Sequence, residues 1–534
     1  MPELPHLPAL RRGKPYASLD RVTVNDCRTG ETLAHLSQVN AGIIRKDLSR
    51  IGESRSALKQ LSCERLLEIC DRAAGLFLNE ALPMGDQGHT QTPQQYVETL
   101  SATSGLPFVM VRRNMEKIAS ALRQMRTILN SLTRGLDLGI LDRGLGEQAG
   151  ARISFYAAAP CLGLVMPSNS PGVNSLWLPA IPLKIPVILK PGREEPWTPW
   201  RIIQALIAAG CPAEAFGFYP TDHEGAAEIL RGCGRALVFG DKNTTAQYAN
   251  NPAIRVHGPG HSKILIGEDQ IERWPEFVDL MVSSIADNGG RSCINASAVV
   301  VPRHATEIAA ALAQKLGPIT PLPAHDENAR LAAFANPRMA ESIDAAIEEG
   351  LQTPGAVDAT ARYRTSLQHG AQRGPAPGVR PSSGAATFAN SKLSECSNAQ
   401  CGSEPASPED GRTPAQSRSA LLPGRKVTFE GAVYLRPTIV LCNSFAHPLA
   451  NREFLCPYAS VVQVPQAAML SQIGPSLVVT AITQDAAFRE ALLESPLIDR
   501  LNLGPISTMQ VAWDQPHEGN LFEFLYCRRA LEVA

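Results

Sequence analysis

From residue 153 to residue 239 the chain alternates short apolar runs with amphipathic stretches of about ten residues, and this alternation narrows the possible folds more than any other feature. Residues 153–166 are apolar and strand-like, and 187–189 form a short buried run ending at Lys190-Pro191-Gly192. Residues 200–209 carry helical spacing, stopped by Gly210 and Pro212. A strand at 217–219, a helix at 224–231 and a strand at 236–239 follow. Strands joined by helices of this length are parallel βαβ units, and such a sheet takes its ligand at the carboxyl ends of its strands.

The rest of the chain extends this α/β reading. Residues 56–82 carry helical periodicity, with Leu58, Leu61, Leu66, Ile69, Ala73 and Phe77 near one face, and 107–132 repeat the pattern. Further strands are expected at 262–266, 296–301, 461–464 and 477–480, with a helix at 306–315. Residues 353–426 break the pattern: rich in Gly, Pro, Ser and Ala, they read as a disordered insertion. At 534 residues the chain exceeds a single core, so two or three domains are expected. The net charge of −1 gives no global pull toward nucleic acid or an anionic membrane. No apolar run approaches the roughly 18 residues of a membrane helix, and the N-terminus lacks the apolar core of a secretory signal. Twelve cysteines without framework spacing fit a reducing cytoplasm. The histidines do not cluster with them, and no metal site is expected.

Asn288-Gly289-Gly290-Arg291-Ser292-Cys293 places a cysteine among glycines and small polar residues where a loop meets a strand, a setting for a nucleophilic thiolate. A free cysteine is more often a buried structural residue, so the reading depends on what accompanies it. Ahead of it come MPSNSPGVNSLWLPAIPLKIPVILKPG, AAGCPAEAFGFYP and VHGPGHSKILIG; after the low-complexity stretch come YLRPTIV and REFLCPYASVVQVP. In this order the segments resemble the aldehyde dehydrogenase superfamily from about residue 150 to residue 502.

The resemblance implies an aldehyde-dehydrogenase-like α/β fold. Its parts are a Rossmann-like nucleotide-binding domain (1–135 and 157–266), an α/β catalytic domain (267–480), and small oligomerisation elements (136–156 and 481–534) that pair subunits into a dimer or tetramer. It also implies NAD or NADP as cofactor and a small-molecule aldehyde or acyl-CoA as substrate. Cys293 takes the nucleophile's place, and Asn169 that of the amide completing an oxyanion hole. Lys190 matches the lysine on the adenosine ribose, and Glu453 the glutamate on the nicotinamide ribose, although Leu455 and Cys456 replace the usual Phe and Gly. Arg193 and Glu194 stand where the ribose hydroxyls or a 2′-phosphate are read: a guanidinium favours NADP and a carboxylate favours NAD. Gly258-Pro259-Gly260 precedes a strand and is not read as a phosphate loop, so Phe239-Gly240-Asp241, before a helix near Thr244, is the expected pyrophosphate-side element.

One departure bears on the reaction. His257 occupies the place where hydrolytic members carry the glutamate that activates water, and no other carboxylate is adjacent in the sequence. A thiol ionises more easily than water and needs less help. The leading expectation is therefore an acylating enzyme that interconverts an aldehyde and its acyl-CoA, with coenzyme A as cosubstrate. Residues 103–113 and the helical N-terminal region also look like the fatty acyl-CoA reductases related to those of bioluminescent bacteria. Two alternatives stay open: oxidation to a free acid with His257 or another group activating water, and a catalytically silent relative retaining the fold. The polar segment 513–520 is expected at the substrate tunnel or at a subunit interface.

Overall fold

The structure, a computed structural model, describes residues 4–86, 88–364 and 424–532. Two seven-stranded sheets form its frame. The first holds five parallel strands: β1 (Cys161–Val165), β2 (Val187–Lys190), β3 (Phe216–Phe218), β4 (Gly234–Phe239) and β5 (Ile254–His257). Their spatial order is β5-β4-β1-β2-β3, extended at β3 by the antiparallel strands Ala9–Arg11 and Lys14–Tyr16. The second sheet holds β6 (Ser262–Ile266), β7 (Ala296–Val301), β8 (Thr438–Cys442), β9 (Tyr458–Gln463), β10 (Ser476–Ile482) and β11 (Ile498–Leu503). These are parallel in the order β8-β9-β7-β6-β10-β11, with Ala356–Asp358 antiparallel on the β8 edge.

Most of these strands were legible because both faces are covered, so apolar residues run on without alternating. Leu162, Leu164, Val187 and Leu189 share a core with Ile202, Ile203 and Leu206 of α3 (Trp197–Ala208). Cys161 and Ile188 face the other way, onto Ile229 of α4 (His223–Gly232). In the second sheet Val299, Val301, Ile439 and Val461 pack on α5 (Val278–Ala286) and α6 (Ala305–Leu316). Val300, Val440 and Val462 pack on α7 (Pro337–Gln352).

Several expected boundaries move. The periodic stretch 56–82 is two helices, Ile51–Lys59 and α1 (Cys63–Asn79), because the Ser62 side chain accepts from the Arg65 N–H and starts a new helix. The stretch 107–132 is α2 (Phe108–Arg123) followed by Met125–Leu132, which pivot at Gln124. The apolar run 153–166 is two strands in different sheets: Ala151–Ala157 pairs with Leu145–Gln148 and with Tyr526–Arg529, and β1 begins only after Pro160. The second sheet starts at Ser262, five residues before the expected domain start, and the expected cut at 481 falls within β10. Of the segment read as an insertion, 365–423 lie outside the described residues, whereas 356–358 form the edge strand on β8. No helix among the described residues is long and apolar enough to cross a membrane.

The N-terminal helices are tied to the first sheet by Arg201. This buried guanidinium, on α3, donates to the carbonyls of Phe77 (3.0 Å), Glu80 (2.8 Å) and Gln91 (2.9 Å) and lies over the Phe77 and Tyr96 rings. Burial lowers its pKa to about 10. Arg201→Met keeps the packing but strands three carbonyls, which is expected to cost about 2–4 kcal/mol. Urea unfolding checks this, and a loss below about 0.5 kcal/mol would mean that water replaces the guanidinium.

Candidate active site

The chain order of the strands turns one short connection into a constraint. β1 to β3 are laid down in one direction, and β4 and β5 then add on the other side of β1, so the sheet has a topological switch point between β1 and β4. β5 ends at His257 and β6 starts at Ser262. The link 258–261 therefore joins the carboxyl edge of the first sheet to the amino edge of the second, and the loops leaving one edge meet the loops entering the other. Cys293 precedes β7 and Glu453 precedes β9, both on that amino edge.

The loop leading to Cys293 owes its path to backbone that few residues adopt. Asn288, Gly289 and Gly290 have φ of 55°, 66° and 68°. Asn tolerates this region and glycine occupies it freely. A Cβ on Gly290 would collide with the backbone of Cys456. Asn288 accepts from Asn114 Nδ2 (2.8 Å) and donates to Ser170 Oγ (3.2 Å) and Ser292 Oγ (3.0 Å). The buried Arg291 guanidinium donates to the carbonyls of Ser104 (2.8 Å) and Ala333 and lies over the Phe334 ring. Asn169 Nδ2 donates to the Arg291 carbonyl at 2.8 Å, which sets the amide beside the loop with its second N–H still to give.

A cavity of about 610 Å³ runs along the join. Of the residues singled out in the sequence, Asn169, Glu194, Phe239, Gly240, His257, Cys293 and Glu453 line it. Lys190 and Arg193 do not. Lys190 ends β2 and donates to the neighbouring Pro191 carbonyl (3.3 Å), and Arg193 is exposed. The N–H of Glu194 is fixed on Ser168 Oγ (3.3 Å). After Gly240, the Asp241 carboxylate accepts from the Thr244 N–H (2.8 Å) and fills the start of the five-residue helix Lys242–Ala246. A phosphate at that helix start would meet a like charge, so the expected pyrophosphate role of this turn loses its basis.

His257 differs from expectation in its surroundings. Its ring stacks on Phe239 (centroids 4.4 Å apart), and its Nδ1–H donates to Glu518 Oε2. Its Nε2 is buried without a hydrogen-bond partner among the described residues. The sequence shows no carboxylate near His257, yet the fold brings one from 261 positions downstream. Glu518 lines the cavity together with Trp513, Gln515 and His517, placing the polar C-terminal segment at the site.

Charge in the cavity is unevenly held. Enclosure, followed by the Glu518 and Glu453 charges, pushes the Cys293 thiol well above its ordinary pKa, while Lys117 and the residue's own N–H pull it down. At rest the thiol is therefore protonated. Burial raises Glu453 to about 8 although it accepts the N–H groups of His261 (2.6 Å) and Gly260. Burial lowers Lys263 to about 7, and its ammonium donates to the His261 carbonyl (2.6 Å) and Ser476 Oγ (3.0 Å). Desolvation, helped by Lys117, Arg500 and His257, drops His517 to about 3, so its imidazole is neutral.

Sequence reasoning passed over Lys117, Glu518 and His517. Lys117 had a faint signal: three positions after the buried Asn114, it adds a second polar side chain to the inward side of α2. Glu518 and His517 sat in the polar segment expected at the substrate tunnel or a subunit interface, but neither was singled out within it.

Residues 89–376 match the aldehyde dehydrogenase family. No curated protein sequence matches the chain. Among solved structures the chain is similar to the aldehyde dehydrogenase KauB from Pseudomonas aeruginosa, with a TM-score of 0.71 and 14% identity, covering 98% of this chain and 96% of that one. It is also similar to indole-3-acetaldehyde dehydrogenase solved with NAD+ (TM-score 0.70, 16% identity, 98% and 97% covered). A third is aldehyde dehydrogenase 21 from Physcomitrella patens, solved with the reaction product succinate (TM-score 0.68, 13% identity, 99% and 98% covered). At these identities the likeness establishes the fold.

Two outcomes follow from the site's geometry. Gly290→Ala adds a side chain both at positive φ and against the Cys456 backbone, and is expected to cost about 3 kcal/mol or more; slowed alkylation of Cys293 in protein that still folds would show the loop displaced. For Glu453, the folded protein keeps a proton between about 4.5 and about 8 that the unfolded chain releases. Its contribution to stability is present below pH 4.5 and lost as pH rises through about 8. Glu453→Gln should therefore gain stability relative to the parent across that window in urea unfolding at stepped pH. Parallel curves would refute the raised pKa.

Proposed function

The chain belongs to the aldehyde dehydrogenase family, and on that premise we propose that it oxidises an aldehyde to the free carboxylic acid with NAD(P)+, through a thioester on Cys293. One observation carries the choice of product: the Glu518 carboxylate, held by His257, stands in the same cavity as Cys293.

The residues fit a nicotinamide dinucleotide. The cavity reaches the switch point between β1 and β4, where Ser168, Glu194, Phe239, Gly240 and Thr244 line it. Open parallel sheets bind such ligands at this crevice, and a similar structure carries NAD+. Glu194 lies in the wall and Arg193 is exposed outside it, so a carboxylate meets the ribose hydroxyls and repels a 2′-phosphate. This favours NAD+ over NADP+. Glu453, which lines the same cavity, would hold the second ribose. A bound dinucleotide would supply the hydride acceptor for oxidising the Cys293 thiohemiacetal to a thioester.

The protein's own groups perform the remaining steps. Cys293 Sγ adds to the aldehyde carbon, its thiol proton passing to Glu518 and on to solvent, and the carbonyl π pair moves onto oxygen as an oxyanion. The Cys293 N–H and the free N–H of Asn169 are the donors for that oxyanion, an interaction worth about 3 kcal/mol. Glu518 then takes a proton from water, which attacks the acyl carbon; the C–S bond breaks and the thiol is restored. His257 is the positioning residue: its Nδ1–H orients the carboxylate, and its buried Nε2 is closed to water. Carboxylate chemistry assigned by position to residue 257 is thus supplied in space by residue 518.

A second reading keeps coenzyme A as acyl acceptor. Its support is that residue 257 is not itself a carboxylate, and Glu518 would serve a thiol as readily as water. The open edge of Leu145–Gln148 is the expected place for a second copy of the chain to pair.

Cys293→Ala should abolish turnover. Glu518→Gln should leave a burst of one NADH per Cys293 and slow the steady state about 100-fold, with His257→Asn intermediate. Rapid-mixing kinetics with and without coenzyme A decide the product. Steady-state turnover that requires coenzyme A, or that Glu518→Gln leaves untouched, would overturn hydrolysis.

A further inference from the structure

Lys117 lines the cavity and has no role in the reaction above, and, unlike Arg255 and Arg291, which donate to backbone carbonyls, it has no hydrogen-bond partner among the described residues. It projects from α2, and its stem passes the Pro171-Gly172-Val173 segment, where a Cβ on Gly172 would lie 3.5 Å from the Lys117 Cδ. That segment follows Asn169 directly, so the side chain enters the cavity on the wall that carries the oxyanion donor. Lys117 makes no hydrogen bond or ion pair among the described residues. The charged or ionisable groups that face it are the Cys293 sulfur, Arg500 and His517. No carboxylate answers it. The acidic groups nearer the thiol are engaged elsewhere, Glu518 by His257 and Glu453 by the backbone of 260–261.

A half-buried ammonium without a counter-ion is partly desolvated and unpaired, and an anion that enters the cavity beside it gains a charge partner. The thiolate of Cys293 is one such anion, but the resting thiol is protonated. The apolar lining next to Cys293, namely Ile294, Val511 and Val173, gives the carbon chain of a substrate a path, and Lys117 with the neutral imidazole of His517 gives that path a polar end. We propose that the aldehyde substrate carries an anionic group, a carboxylate or a phosphonate, that Lys117 binds while the aldehyde carbon sits at Cys293. This deepens the reading above and rests on Cys293 as nucleophile.

The test separates an anion site from a device that tunes the thiol, and it needs no turnover. Purified enzyme is alkylated at Cys293 with iodoacetate and with iodoacetamide, and the ratio of the two rates is compared between the parent, Lys117→Met and Lys117→Arg. Both reagents sense the same thiolate fraction, so any effect of Lys117 on thiol acidity cancels in the ratio. An anion site predicts that the iodoacetate-to-iodoacetamide ratio falls roughly tenfold in Lys117→Met and is largely kept in Lys117→Arg. If Lys117 serves only the thiolate, both rates fall together and the ratio stays constant, which overturns the proposal.

Substrate pairs of equal length supply the second readout. Glutaric semialdehyde against pentanal, and phosphonoacetaldehyde against propanal, are compared by kcat/KM. A preference of about tenfold or more for a charged member, removed by Lys117→Met, supports the proposal, and the favoured pair names the anion. Turnover that prefers neutral aldehydes overturns the proposal while leaving aldehyde oxidation standing. Failure of every aldehyde, with the alkylation ratio still dependent on Lys117, overturns the oxidation reading and leaves the anion site.

Discussion

The backbone of Gly260 lies against the backbone of Cys293, and no side chain fits between them: a Cβ on Gly260 would collide with the Cys293 carbonyl. The same carbonyl accepts from Ser262 Oγ at 2.9 Å, and the Gly260 carbonyl accepts from Leu477 N–H at 2.7 Å. These contacts lock the link between the sheets to the loop that carries the thiol. Because the link spans only 258–261, fixing it fixes the distance between His257, which ends the first sheet, and the start of the second. The Glu453 carboxylate, accepting N–H groups from the same four residues, adds to the same lock. The site exists because one glycine lets two backbones touch.

The electrostatics follow from that closeness. Carboxylates arrive at the thiol from two directions, and a sulfur enclosed with them stays protonated until something in the cavity offsets their charge. Each carboxylate is restrained by a donor that directs it: backbone N–H groups for Glu453, an imidazole for Glu518. Lys117 lines the same cavity and acts on the thiol in the other direction, toward the thiolate.

What the sequence disclosed divides along the same physical line. Strands buried on both faces leave a continuous apolar run in the chain, so β2, β4, β6 and β7 were readable, as was the parallel architecture. Asn169, His257, Cys293 and Glu453 were singled out through the ordered segments that resemble a family, and the structure brings all four to the lining of one cavity. Helix breaks at Ser62 and Gln124 were not readable, since apolar periodicity runs on when two successive helices bury the same side. Residues 153–166 read as a single strand because apolarity does not say which sheet a residue joins. Glu518 and Lys117 were not singled out individually, because each matters through its proximity to elements far away in the chain, and the polar character of 513–520 does not say which of its side chains meets His257.

Residue 257 shows how far position can stand in for chemistry. Read along the chain, histidine in place of glutamate removes the base and points to a thiol as acyl acceptor. Read in space, the imidazole is a donor whose partner is a carboxylate from the C-terminal segment, and the cavity keeps both an acid–base group and its orientation. A carboxylate that must draw a proton from water needs access to water and a fixed direction, and one residue rarely supplies both. Here the two needs are separated: a stacked, buried ring sets the direction, and a side chain from another element supplies the oxygen. Residues 513 and 515–519 line the cavity just ahead of the last strand, Tyr526–Arg529, which pairs with Ala151–Ala157, so the carboxylate beside His257 comes from a segment anchored to the rest of the fold by that pairing.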